Sequence, residues 1–348
     1  MILKSNSNLE IYIFNVGRGL SILCKTPQNH VLIYDLGSTD GFSPINDVYK
    51  EKSFFSQMTN YEGKKIAQTI ISHPHLDHIS NLTDNNAIFI KNNSALITCQ
   101  NDKSDNKKGQ KIDFNMVNNP DYSTNQIENY KSLYKDRSLP LRTIDPKVEN
   151  CNFKMGYFYL PHNKIIELYD SDQEYSNSLS IVLYIAYKDY SILIPGDITP
   201  EAFKLIIDGK CEKRYIDCSY SISSTMRMQW TNSTCREQPN LITLLQKYGL
   251  TFLDTPHHGL ESCFPEYLFN KLGEKKPYLN IASEGKHTDK SGNIDKRYQN
   301  SECAKGIKFG EKTRYSLTTR NDGHIKIIVS SEGKCTINNY SNYEDMFR

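Results

Sequence analysis

Four short apolar runs in this chain each end in residues that chemistry uses, and that recurrence limits the fold more than any other feature. "HVLIYDLG" ends at Asp35 and Gly37, and "KIAQTIIS" runs straight into "HPHLDH". "YSILIPGD" ends at Asp197, and "LTFLDTPHHG" ends at His257 and His258. Short β-rich runs closed by Gly, Pro or Asp read as buried strands. The loops that leave such strands are where sites are built. One site drawing on residues from Asp35 to His258 requires strands from both halves of the chain to end side by side.

The rest of the pattern agrees with a sheet-rich domain. "LEIYIFNVG" and "LSILCKT" are joined through Gly17-Arg18-Gly19, and with "HVLIYDLG" they predict an antiparallel meander. "SLSIVLYIAY" and "YSILIPGD" predict a buried hairpin, while "FKMGYFYLP", "PYLNIAS" and "HIKIIVSS" read as further strands. "HISNLTD" has the spacing of a helix start, with Asp77 or a polar neighbour as its cap, and "PEAFKLIID" is an amphipathic helix. Residues 100–150 are polar and turn-rich, with a short helix predicted near "IENYKSLYKD", and residues 208–240 read as irregular. We expect a single domain over 1–348 with polar insertions near 100–150 and 208–240.

Composition removes some classes. A net charge of +2 over 348 residues gives no basic footprint for extended nucleic-acid binding, and leaves a small phosphate-bearing substrate open. There is no run of about 18 apolar residues, so no spanning helix and no membrane partner is expected. The N-terminus lacks the apolar core of a signal peptide. Nine cysteines, an odd number without a Cys-x-x-Cys, read as reduced thiols in a cytoplasmic protein.

The histidine cluster explains its own spacing. His73 and His75 are two apart, so in an extended loop both can project to one side and grip one ion. Asp77 and His78 follow, and a turn there can aim them at a second. Imidazole and carboxylate suit Zn²⁺, Mn²⁺ and Fe²⁺. Two ions roughly 3.5–4 Å apart can activate a water and stabilise a displaced oxygen. Asp197 could bridge them, and either His257 or His258 could close the second site.

"HPHLDH" followed by "ISNL" resembles the His-x-His-x-Asp-His signature of the metallo-β-lactamase superfamily. "IFNVGRGLSILCKTP" with "VLIYDLGS", "NSLSIVLYI" with "YSILIPGDI", and "LDTPHHG" resemble, in the same order, the hydrolase domain of the competence protein ComEC and its soluble relatives. That resemblance implies an α/β fold, an αββα metallo-β-lactamase sandwich: two mixed β-sheets packed face to face with helices outside. It implies two divalent metal ions, Zn²⁺ or Mn²⁺, with His73 and His75 on one, Asp77 and His78 on the other, and Asp197 between them. His257 matches the late ligand, with His258 beside it as the alternative. Asp35 would hold the ligand loop through hydrogen bonds. Asn177 takes the place of a further histidine, and His162 is the one histidine between His78 and His257 that could compensate. Leu20 occupies a position that is acidic in relatives.

By the same resemblance Ser283, Lys286 and His287, in "IASEGKH", would face the substrate. The activity implied is a metal-dependent hydrolase of the phosphodiesterase or nuclease class, in which a metal-bound hydroxide attacks phosphorus, with Asp77 and Asp197 as catalytic residues. The partner implied is a phosphodiester, either nucleotide or nucleic acid. Hydrolysis of an ester, thioester or lactam is the alternative within the fold. A regulatory or effector subunit, meeting a protein partner through the insertions, is the alternative outside catalysis.

Overall fold

A computed structural model describes residues 8–51, 54, 64–98, 124–135, 152–168, 172–217, 238–284, 294–309 and 311–347. In the N-terminal half lie β1 (Leu9–Ile13), β2 (Ile22–Lys25), β3 (Val31–Tyr34), β4 (Ile66–Ile71) and β5 (Ser94–Thr98). Then come β6 (Phe153–Tyr159), β7 (Val182–Tyr187), β8 (Tyr190–Ile194), β9 (Glu212–Asp217), β10 (Phe252–Asp254) and β11 (Leu279–Ala282). The chain finishes with β12 (Ile307–Phe309), β13 (Lys312–Arg314), β14 (Ser316–Thr318), β15 (His324–Val329) and β16 (Cys335–Tyr340).

Two seven-stranded sheets result, in the orders β16-β15-β1-β2-β3-β4-β5 and β14-β11-β10-β8-β7-β6-β9. Both are mixed. The first is antiparallel from β16 to β3 and parallel from β3 to β5. The second is parallel from β14 to β8 and antiparallel from β8 to β9. Helices cover both outer faces, so the αββα sandwich expected from the sequence is the architecture. The N-terminal meander, the β7–β8 hairpin and the helix Pro200–Ile207 form where their patterns put them.

Strand alternation sorts the side chains into layers. In β7, Leu183, Ile185 and Tyr187 enter the core between the sheets, while Val182, Tyr184 and Ala186 face the helices outside. In β1, Leu9, Ile11 and Ile13 point inward and Tyr12 outward. Strands buried on both faces read as continuous apolar runs, which is why these were legible.

Two local readings change. Residues 208–240 were expected to be irregular, yet β9 pairs with β6 across Lys154↔Asp217 to Tyr159↔Glu212. Its sequence, "EKRYID", has the charge that edge strands carry, and its pairing comes from the backbone. The helix after the histidine cluster is Leu76–Ile79, and its N-cap is His75, which makes no side-chain cap bond, so Asp77 lies inside it. The helix predicted near "IENYKSLYKD" spans Thr124–Lys135.

His324, at the start of β15, has a structural setting away from the cluster. The Asn15 amide donates to its Nδ1 at 3.1 Å, and the Phe42 ring meets it edge-on at 5.1 Å. Burial pushes its pKa down to about 4. The unfolded chain therefore takes up a proton near pH 6.5 that the folded chain refuses until about pH 4. This contribution destabilises as pH falls through that window, by at most about 1.4 kcal/mol per pH unit. His324→Gln, which keeps an acceptor and does not titrate, should flatten it. Urea midpoints of both proteins at several pH values, in chelator, read the difference directly, and parallel curves would refute it.

Candidate metal centre

The site lies where the C-terminal ends of β3 and β4 in one sheet meet those of β8 and β10 in the other. β4 ends at Ile71, and Ser72 to His78 turn over the sheet edge, with the amide of His78 bonded to the carbonyl of His75 at 2.9 Å. Close backbone approach makes that turn compact. A Cβ on Gly19 would lie 2.3 Å from the Asp77 carbonyl oxygen, and the Leu20 amide donates to the same oxygen at 3.2 Å. This accounts for the second glycine of Gly-Arg-Gly. Gly19→Ala should cost about 1–3 kcal/mol of stability by overpacking and weaken metal binding on the Asp77 side. Gly41→Ala, where nothing lies within 4 Å, is the control. Equal urea midpoints for the two variants would contradict the close approach.

Asp197 follows β8 through Gly196, whose φ is +62° and whose Cβ position would crowd the Tyr34 hydroxyl at 2.9 Å. His257 and His258 follow β10. Both have left-handed backbone, with φ 48° and 57°, and the His257 amide is tied to the Gly196 carbonyl at 3.1 Å. Consecutive non-glycine residues in this region store strain of order 1–3 kcal/mol each, which persists where the surroundings over-determine it.

These loops bring their donors together. Asp77, His78, Asp197 and His258 form one group able to hold an ion, and His73, His75 and Asp197 form another, with donor atoms in each within 4.8 Å of one another. The Asp197 Oδ2 atom is the common point. It lies 3.2 Å from His78 Nε2, 3.5 Å from His258 Nε2, 3.6 Å from His257 Nε2 and 3.9 Å from His73 Nε2. His258 Nε2 is also 3.2 Å from Asp77 Oδ2. His73 Nε2, His78 Nε2 and both Asp197 oxygens are buried without a properly oriented hydrogen bond among the described residues. Nitrogen and carboxylate donors converging here, four of their atoms without a hydrogen-bond partner, fit divalent metal ions.

The rings are held from behind. Asp35 is fully buried and accepts from the Ser72 amide, the Ser72 hydroxyl and His78 Nδ1–H, each at 2.7 Å. Since Ser72 gives its hydroxyl proton to Asp35, its oxygen accepts from His73 Nδ1–H at 3.0 Å. His258 Nδ1–H donates to the Ser283 carbonyl at 3.0 Å. In all three rings the outer nitrogen carries a proton, and Nε2 faces the centre.

Burial opposes a charge on every ring. At His73 it wins, with the neighbouring His78 and His75 adding repulsion, and it pushes His75 down to about 4. At His78 the carboxylates of Asp197, Asp35 and Asp77 outweigh it and hold the ring well above the ordinary value. At His258, Asp197 and Asp77 outweigh it and raise the ring to about 9. Burial would raise Asp197, but His78, His258 and His257 hold its carboxyl well below the usual range.

Of the other residues expected here, Asn177 is buried with Nδ2 3.5 Å from His257 Nδ1. Ser283 is buried; its hydroxyl donates to the Gly19 carbonyl at 2.6 Å while its own carbonyl holds His258. Lys286, His287 and the His162 side chain lie outside the described residues. Four neighbours were not singled out from sequence. They are Ser72, Ser180, whose hydroxyl accepts from the Asp197 amide at 3.1 Å, Cys263 beside His257, and Asp254. Asp254 is a buried acid at the end of β10, and burial raises its carboxyl well above the ordinary value. An acid inside the apolar run "TFLD" was its signal.

Two His/Asp groups sharing one carboxylate, set in a two-sheet sandwich, make a metal-dependent enzymatic site, consistent with the metal-dependent hydrolases at large. No family model and no curated protein matches the chain. Among solved structures it is similar to CmlA, a diiron β-hydroxylase from Streptomyces venezuelae, at 8% identity and a TM-score of 0.34, over 80% of this chain and 45% of that one. A mutant form of the CmlA β-hydroxylase gives 10% identity and a TM-score of 0.35, over 80% and 46%. The chain thus spans just under half the length of those structures, and so shallow a likeness carries nothing about chemistry. Among the described residues no helix is long and apolar enough to cross a membrane.

Proposed function

We propose that this protein is a hydrolase of phosphodiesters, of the phosphodiesterase or nuclease class, working at a binuclear metal site. The observation that carries this reading is the Asp197 carboxylate, one oxygen of which is ringed by four imidazole nitrogens, and which both donor groups share. His73, His75 and Asp197 would hold one ion, and Asp77, His78, His258 and Asp197 the other. Bound divalent ions supply Lewis acidity and bring the pKa of water toward neutrality. The chain does the rest. Asp35 and the Ser283 carbonyl orient the rings, and the burial of His73, His78 and Asp197 keeps bulk water from the floor of the site. Asp77, with its side chain 29% exposed, marks the side from which substrate arrives. The choice of phosphodiesters over other bonds is supported by the resemblance of the four motifs to the ComEC-like branch. Residues near 100–150 and 208–240 are where we place substrate selection and any protein partner. Cysteines that are free among the described residues support a cytoplasmic setting.

The test is turnover of single-stranded DNA, RNA, cyclic nucleotides and an aryl phosphodiester, with Mn²⁺ and Zn²⁺ supplied separately. We expect phosphodiester cleavage that chelation abolishes. Turnover confined to esters, thioesters or lactams would transfer the site to another bond class. Two bound ions with no turnover of any of these would favour a regulatory subunit.

A further inference from the structure

Three of the rings around Asp197 have oxygen acceptors behind them, and the fourth has a thiol and a carboxamide nitrogen. Behind His78 is the Asp35 carboxylate, behind His258 the Ser283 carbonyl, and behind His73 the Ser72 oxygen, whose own proton goes to Asp35. Behind His257 stand the Cys263 sulfur, 3.0 Å from Nδ1, and the Asn177 amide nitrogen, 3.5 Å from the same atom. A carboxamide NH₂ only donates, and a thiol donates to a ring nitrogen more readily than its sulfur, a weak acceptor, takes a proton from one. The partner of one imidazole nitrogen decides which nitrogen bears the proton. With these groups donating, His257 would accept at Nδ1 and carry its proton on Nε2, which is 3.6 Å from Asp197 Oδ2 and turned toward the centre. A nitrogen bearing a proton has no lone pair for an ion. It can donate to an oxygen that gains negative charge, as neutral imidazoles do elsewhere. The backbone provides for two different histidines in succession, because the left-handed pair at 257 and 258 sends adjacent rings to different partners. Only His258 falls in the four-member donor group.

We propose that His257 is the hydrogen-bond donor of this site, not one of its metal ligands, presenting Nε2–H to a non-bridging phosphoryl oxygen of the substrate. Cys263 and Asn177 are the positioning residues that hold its tautomer. This rests on the phosphodiester reading for the identity of the oxygen, but not for the tautomer.

Three measurements test it. In ¹⁵N-histidine spectra of the metal-free and zinc-loaded wild type, long-range proton couplings should show His257 protonated at Nε2 and His73 protonated at Nδ1. By elemental analysis, His257→Ala and His257→Gln should each retain the wild-type number of ions, while His258→Ala loses one. In turnover, His257→Ala should fall by about 10²–10³-fold in kcat, the loss typical of one donor to a developing oxyanion. His257→Gln, whose amide can reach the Nε2 position, should recover part of it. A His257 protonated at Nδ1, or an ion lost from both His257 variants, overturns the proposal. If the wild type binds no ions at all, the binuclear reading fails, and the metal-free spectra still decide the tautomer.

Discussion

Asp197→Asn should leave a folded protein with at most weak occupancy of one metal position and turnover reduced on the order of 10²-fold or more, the cost of misplacing reacting groups. The substitution keeps the size of the side chain and removes the charge that four imidazole nitrogens surround within 3.9 Å. The fold should survive, because the anchors of this turn are backbone ones. The Asp197 amide donates to Ser180 and the Gly196 carbonyl accepts from His257, and neither bond uses the carboxylate. Were Asp197 only closing the turn after β8, the variant would lose melting temperature and keep its metal and turnover per folded molecule. Metal content, melting temperature and phosphodiester turnover on one preparation separate the two outcomes.

Asp35→Asn should be the most damaging change at a residue that faces neither ion nor substrate. The carboxylate accepts three hydrogen bonds at 2.7 Å, two from Ser72 and one from His78. A carboxamide can keep the Ser72 amide on its oxygen, but its NH₂ then meets the Ser72 hydroxyl or His78 Nδ1–H, donor against donor. To relieve this, His78 must move its proton to Nε2, where an ion would bind, and His73 loses its fixed acceptor when the Ser72 hydroxyl turns. Affinity for the ions should drop about 10–100-fold, the usual effect of losing a partner behind a ligand. The unpaired buried groups should cost about 1–3 kcal/mol of stability. Competition of the protein against a zinc chelator, with urea melts alongside, measures both, and wild-type values for the pair would show that Asp35 does not orient the rings.

Much of this architecture was legible because its central strands are buried on both faces. β1, β4, β7 and β8 are nearly unbroken apolar runs, and the residues that end them stood out against that background. β5, β12 and β14 were not read as strands, and neither were β9, β13 and β16, whose sequences "EKRYID", "KTR" and "CTINNY" are short or polar and draw their order from a neighbouring strand. For the site, the histidine cluster, Asp35, Asp197 and the Pro-His-His-Gly turn were all visible as motifs. What each ring of that turn does was not, because it depends on left-handed backbone at His257 and His258 and on the groups behind them. Ser72 reaches Asp35 across 37 positions, and Ser180 lies 3.4 Å from His73 across 107. No spacing rule links residues that strand pairing, for Ser72 and Asp35, or the stacking of two sheets, for Ser180 and His73, makes neighbours.

The donors come from opposite sides of a seam. His73, His75, Asp77 and His78 leave the first sheet, whereas Asp197 and His258 leave the second. The 3.2 Å between Asp77 and His258 is therefore set by how one sheet slides on the other. That sliding is pinned by hydroxyls crossing the seam, Tyr34 to the Ile181 carbonyl at 2.6 Å and Tyr157 to the Gln68 carboxamide. The hydrophobic layer between them, to which Met155 and Ile185 belong, works as the alignment bench of the reactive groups. A repacked side chain there can shift one sheet by a fraction of an ångström while leaving the fold intact. Its consequence should appear as altered turnover at a centre it never touches, so activity should be a finer gauge of core packing in this molecule than melting temperature.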